Sequence, residues 1–292
     1  MAMTLSGLSE LGLDHLEDID IFATPPKEEK KKEAPTTPKA PELQEKDFIF
    51  EKTMECPVCG RSFTTKIMKT GKAKLEATDR DLRPRYHGID ATKYDVILCT
   101  KCGYAAISRF FPRVTGVQSK LIRENISNKV RLASVGGETY SYEEAMERYK
   151  LALAAAVVKR AKTSEKAFIC LKSAWLLRGY AESLENTEAA DEARMKDIAA
   201  KEEEYLQNAY VGFLEARQSE NLPICGMDAN TVDYLLAVLA VHFQKYEVAS
   251  RMVATILTSA TANNRIKDKS RELKDEILTE LRNQKSKPDP KQ

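Results

Sequence analysis

The chain has 292 residues, a length that suits about two domains at ~150 residues each. Its 42% hydrophobic and 31% charged residues allow a sizeable core, and 46 Lys and Arg against 44 Asp and Glu leave a net charge of +2, which excludes a uniformly basic or acidic protein. The longest apolar stretches, Leu151–Val158 and Tyr234–Val241, are eight residues each, well short of the ~20 a spanning helix needs.

Charge and texture divide the chain. Residues 1–46 are net −4, residues 47–135 net +8 and the remainder net −2. The first twenty residues carry no Lys or Arg, so no secretory n-region is present and a cytoplasmic protein is expected. Between Leu5 and Phe22 apolar residues alternate with acidic ones, a pattern that suits a short docking segment or a frayed terminus. Residues 23–46 hold five of the eleven prolines and the charged run Lys27–Glu33. Little apolar surface is available there to offset ordering entropy, and a disordered linker is expected.

From Phe48 to Phe111 the signals are short strands and turns, with Tyr94–Leu98 reading as a strand. From 136 to 285 they are helical. Ser141 and Glu144 form a capping box, and helical periodicity runs through about 141–162, 165–183, 188–218, 229–243, 246–260 and 264–285. Residues 286–292 read as a disordered tail.

Cys56-Pro57-Val58-Cys59-Gly60 and Cys99-Thr100-Lys101-Cys102-Gly103 are the most specific feature. Each C-x-x-C lets two thiolates of one tight turn reach a single ion, and the following Gly lets the chain turn back. Two such knuckles supply four thiolates, the donor set of a closed, structural Zn²⁺ site with one ion per chain. An iron–sulfur centre uses the same four thiolates and stays open as an alternative. Residues 60–98 separate the knuckles, against ~15–20 residues in simple ribbons, so an inserted hairpin or loop is expected. Cys170 reads as a buried small hydrophobe. Cys225 resembles half a knuckle without a partner, and His242 reads as a core histidine on an apolar helix face.

The insert contains Asp79-Arg80-Asp81-Leu82-Arg83-Pro84-Arg85-Tyr86-His87. Alternating Arg and Asp suit an ion-pair lattice that orders the loop. The competing reading is a nucleic-acid face: Arg80, Arg83, Arg85, Arg109 and Arg113 would neutralise phosphates and Tyr86 would stack. Asp79, Asp81 and His87 make a weak acid–base or metal set, and no catalytic residue is assigned. In the helical half, Tyr142 to Leu153 reads as the second helix of a tetratricopeptide repeat, and Tyr142 and Tyr246 lie 104 residues apart, close to three periods of ~34. Such stacked pairs leave a groove that binds peptides.

Taken in order, the first knuckle, Asp79–Pro84, Tyr86, Tyr94, Cys99–Ala106 and then Ala174-Trp175-Leu176 resemble the bacterial family catalogued as domain of unknown function 2225, over most of residues 47–285. The resemblance implies a zinc knuckle pair joined to tetratricopeptide-like helices and implies no established activity. The expected molecule is therefore α+β: a zinc-ribbon module at 47–135 followed by a tetratricopeptide-like domain at 136–285. The leading expectation for its function is a non-enzymatic adaptor. Its partner is a protein or peptide in the helical groove, with the chain's own residues 5–22 as one candidate. Nucleic-acid binding through the basic 60–113 region is the alternative.

Overall fold

The structure, a computed structural model, describes residues 43–132, 137–185, 187 and 190–286. The docking segment expected at 1–22, the linker as far as residue 42, and all but the first residue of the tail expected at 286–292 lie outside the described residues. The end of the expected linker overlaps a 3-10 turn, Glu45–Phe48. Its Glu45 carboxylate accepts hydrogen bonds from buried Lys93 at 2.9 Å and from the Tyr94 hydroxyl at 2.6 Å, which tie this part of the expected linker to the fold.

Three antiparallel hairpins come first. β1 (Ile49–Glu55) pairs with β2 (Ser62–Met68) from Ile49↔Met68 to Glu55↔Ser62. β3 (Leu75–Thr78) pairs with β4 (Pro84–Tyr86), and β5 (Val96–Leu98) pairs with β6 (Ala105–Ile107). The middle hairpin, with a 3-10 turn at Ala91–Tyr94, is the insertion that the long knuckle spacing implies.

Helix α1 (Gly116–Ile122) starts on a Thr115/Gln118 capping box and continues into a π-turn, Arg123–Ser127. Then follow α2 (Tyr142–Val158), α3 (Thr163–Leu184), α4 (Glu192–Ser219), α5 (Ala229–His242), α6 (Tyr246–Thr258) and α7 (Asn264–Ser286). The expected Ser141 capping box is present: its hydroxyl accepts the Glu144 N–H at 3.1 Å and the Glu144 carboxylate accepts the Ser141 N–H at 2.9 Å. None of the described helices is long and apolar enough to cross a membrane.

The hairpins and helices share core. The small face of α2, with Ala145, Ala152 and Ala156 around Tyr149, packs against Val96, Leu98, Ala105 and Ile107 of β5–β6 as well as Ile169 and Leu176 of α3. Alanines that would admit a neighbouring helix also admit a sheet face, because each removes the bulk that keeps backbones apart. Helix α5 is buried on nearly every side, and its Leu235, Leu236 and Leu239 join the core formed with α3, α4, α6 and α7.

Candidate metal centre

Each knuckle is the turn of a hairpin. The Cys56 N–H donates to the Arg61 carbonyl at 3.1 Å and the Gly60 N–H to the Cys56 carbonyl at 2.8 Å; Cys99 and Tyr104, then Gly103 and Cys99, repeat the pattern at 2.8 and 2.9 Å. Gly60 and Gly103 close the two turns at φ +67° and +74°, in the left-handed region that glycine enters without a Cβ penalty. Gly103 has a second reason to lack a side chain: a Cβ there would lie 2.5 Å from Val130.

The turns bring the four sulfurs together. Cys56 and Cys102 Sγ are 3.6 Å apart, Cys59 and Cys99 Sγ 3.8 Å apart, and all four lie within 4.8 Å of one another. A tetrahedral ion with ~2.3 Å bonds to sulfur needs edges of ~3.8 Å, so the cluster has the dimensions of a four-thiolate site. Among the described residues it is the only set of His, Cys, Asp and Glu side chains close enough to share an ion. Cys56, Cys99 and Cys102 are buried and Cys59 is partly so.

Electrostatics also fit a cation. The hydrogen bonds of Cys102 and Cys56 pull the Cys99 thiol down to about 2, whereas the bonds with Cys56 and Cys99 push Cys102 far up. Cys56 lies at about 11: its Cys102 bond lowers it, while its Cys99 contact and burial raise it. A metal ion bound by the four sulfurs would displace thiol protons and satisfy every sulfur. Behind the sulfurs lie Val58, Phe63, Tyr104, Phe111 and Ile122. Tyr104 stacks on Phe111 with ring centroids 4.9 Å apart and donates to the Phe111 carbonyl at 3.1 Å. Ser119 of α1 donates to the Val58 carbonyl at 3.2 Å, and Arg61 ties the knuckles together through the Lys101 carbonyl at 2.9 Å.

The insert turns inward onto the helices. Asp81 accepts the Trp175 indole N–H at 3.0 Å and pairs with Arg178 at 2.9 Å. Arg83, its side chain 5% exposed, meets Glu182 at 3.1 Å, Asp90 at 3.5 Å and Asp79 at 3.8 Å. Arg85 bonds Asp79 at 2.5 Å and Glu182 at 2.6 Å, and Arg80 reaches Glu276 of α7 at 3.0 Å. Gly179 makes the approach possible: a Cβ there would lie 2.3 Å from Asp90 Oδ2 and 2.8 Å from the Arg83 guanidinium. Tyr86 is half-buried beside the cluster of Phe48, Ile49, Ile89 and Tyr94. Arg109 is exposed and donates to the Cys225 carbonyl, and Arg113 is exposed. The α3 residues Trp175, Arg178 and Glu182 that receive the insert were not singled out from the sequence as its partners. Their signal is the spacing of Trp175, Arg178 and Glu182 three and four apart, which places them on one face of the helix.

His87 is exposed and pairs with Glu76 at 2.7 Å, while Asp79 and Asp81 turn toward α3, so the three do not form a site. His242 is a correction. It is not a core residue: it stands exposed at the end of α5 with Nε2 2.7 Å from Glu203, on the outward side of a last turn whose Leu239 and Ala240 are buried. Cys170 is buried, with its thiol pushed up to about 11 by burial. Cys225 lies in a tight turn closed by the Ile224–Met227 bridge, and its thiol donates to the Ser164 carbonyl at 3.2 Å.

Nothing among the curated proteins or the solved structures matches the chain. The model of one family does, over residues 49–277, a span that includes both knuckles, the insert and its seat on α3. The chain therefore belongs to the family of domain of unknown function 2225, described as an uncharacterized protein conserved in bacteria.

Proposed function

We propose that the chain is a non-enzymatic cytoplasmic adaptor. One structural Zn²⁺, held by Cys56, Cys59, Cys99 and Cys102, closes a ribbon-like module, which braces a tetratricopeptide-like helical domain that binds a peptide. Four thiolates leave no coordination position for a substrate, which favours a structural role. Each helix from α2 to α7 packs on the next, which is the contact pattern of a helical stack.

The observation that carries the reading is a groove of about 470 Å³ between α2, α3 and α4. Met146, Leu153, Leu176, Leu177 and Tyr205 line its floor, and its rim carries Glu143, Glu147, Asp197 and Glu204 against Lys150 and Lys201. An apolar floor under an acidic rim suits an amphipathic peptide with Lys or Arg flanking its anchors. The chain's own residues 5–22, outside the described residues, carry the same sign of charge as the rim.

A fluorescent Leu/Lys amphipathic peptide titrated into the full chain tests this. Met146→Glu should weaken binding about tenfold or more, as loss of an interface anchor does, and added salt should weaken it further. No binding, or displacement by a peptide of residues 5–22 at lower concentration than by the unlabelled basic peptide, would overturn the reading. The nucleic-acid alternative has less support, because Arg80, Arg83 and Arg85 already face Glu276, Glu182 and Asp79.

A further inference from the structure

A second concavity lies on a different face, where the segment after β6, the α2–α3 connection and the turn following α4 meet. It encloses about 480 Å³, within the range of small-molecule sites. Arg109, Arg113, Lys159, Arg160 and Lys162 line it, against two carboxylates, Glu165 and Glu220.

Both carboxylates are engaged with the fold. Glu165 pairs with buried Lys159 at 2.6 Å. Glu220 accepts the Ser164 N–H at 2.8 Å and the Ser164 hydroxyl at 2.5 Å, which occupies the start of α3. Among the described residues none of Arg109, Arg113, Arg160 and Lys162 forms an ion pair, so four exposed cations face the cavity against the one carboxylate charge, that of Glu220, that no cation offsets.

Two backbone features hold these cations in place at some conformational expense. Arg160 follows the last turn of α2 at φ +53°, and the Ala161 N–H returns to the Ala156 carbonyl at 2.9 Å. That is the helix-terminating position where glycine is the favoured residue, yet a long cationic side chain occupies it. On the opposite wall, a Cβ on Gly226 would fall 2.7 Å from the Arg109 guanidinium, and φ there is +81°. The glycine thus leaves the space in which Arg109 lies against the Cys225 carbonyl. Planar guanidinium groups match the oxygens of a phosphate in pairs.

We infer that this cleft binds a small phosphate-bearing molecule, with Arg109, Arg113, Arg160 and Lys162 as its ligands. A cleft lined from three segments suits a discrete anion better than a strand passing along a surface.

Inorganic phosphate and phenyl phosphate, titrated into the metal-loaded full chain against chloride at matched ionic strength, test it by calorimetry and thermal shift. Saturable binding of either is expected, and it should weaken about tenfold in the Arg113→Gln, Arg160→Gly double variant. Arg160→Gly alone, which places glycine where the backbone favours it, should melt no lower than the parent in the absence of phosphate and still bind phosphate more weakly. Binding of phenyl phosphate alone would identify an organic phosphomonoester as the ligand, and equal binding of both would identify the phosphate group itself. The inference is overturned if neither probe binds at tens of millimolar, if the variants bind as the parent does, or if a single-stranded oligonucleotide binds where both phosphates fail. None of these outcomes depends on the α2–α3–α4 groove.

Discussion

Cys99 is fully buried, and its sulfur belongs to a cluster close enough to hold one metal ion. Serine at that position removes a thiolate and leaves a hydroxyl in an apolar shell. Structural zinc contributes on the order of 10–16 kcal/mol of apparent binding energy in small zinc peptides, as much as the whole stability of a typical domain, ~5–15 kcal/mol. Cys99→Ser should therefore lose its metal by elemental analysis and show no cooperative melt. Retention of one zinc with a parental melting curve would falsify the four-thiolate assignment. Gly179→Ala tests contact at the same scale. The added methyl would meet Asp90 and Arg83 at under 3 Å, and overpacking of that kind costs about 1–3 kcal/mol, measurable as a lower denaturation midpoint.

Among the elements, the β3–β4 insert and α3 are joined by charge. Arg83 lies between Asp79, Asp90 and Glu182 with almost no solvent contact, so deleting it strands carboxylates in a poorly hydrated pocket. Arg83→Ala should cost about 3–5 kcal/mol, the usual penalty for breaking a buried pair from one side. Replacing Arg85, whose side chain is 40% exposed, should cost much less, since water screens an exposed pair. Equal losses from the two substitutions in urea melts would contradict this division. Legibility in the sequence follows the same lines. Helices α2 to α7 could be read because apolar spacing and the Ser141/Glu144 box are local, and each of their ends falls within four residues of its expected place, whereas the short α1 was not expected. The knuckles could be read because both thiolates of a pair come from one turn. The seat of the insert could not, because Asp81 and Trp175 are 94 residues apart and a single chain shows no link between an Asp-Arg run and a distant tryptophan. His242 was misplaced for a related reason: periodicity identifies a face and not where the packing against it stops.

At the scale of the molecule, buried tyrosines govern the alkaline limit. Burial pushes Tyr234 up to about 12 and raises Tyr104 and Tyr149 above their ordinary value of 10. Between those pH values the unfolded chain has lost phenolic protons that the native chain retains, so stability is complete below pH 10 and falls as pH rises toward 12. Melting temperature should be level up to pH 10 and decline above it; a flat profile to pH 12 would contradict the burial. Metal removal should act just as widely. Because β5–β6 carries Cys99 and Cys102 at its tip and lays its face on α2, a chelator should melt the helical signal by circular dichroism together with the ribbon, in one transition rather than two.

That shared face bears on how such a protein can be inherited. Four side chains of a hairpin, Val96, Leu98, Ala105 and Ile107, are sealed by alanines of the next segment, and an excised ribbon would present them bare to water as a sticky apolar strip. The cysteine module is thus not a portable cassette: recombination that swapped it between genes without α2 would yield an aggregating fragment, and the two halves are bound to travel together.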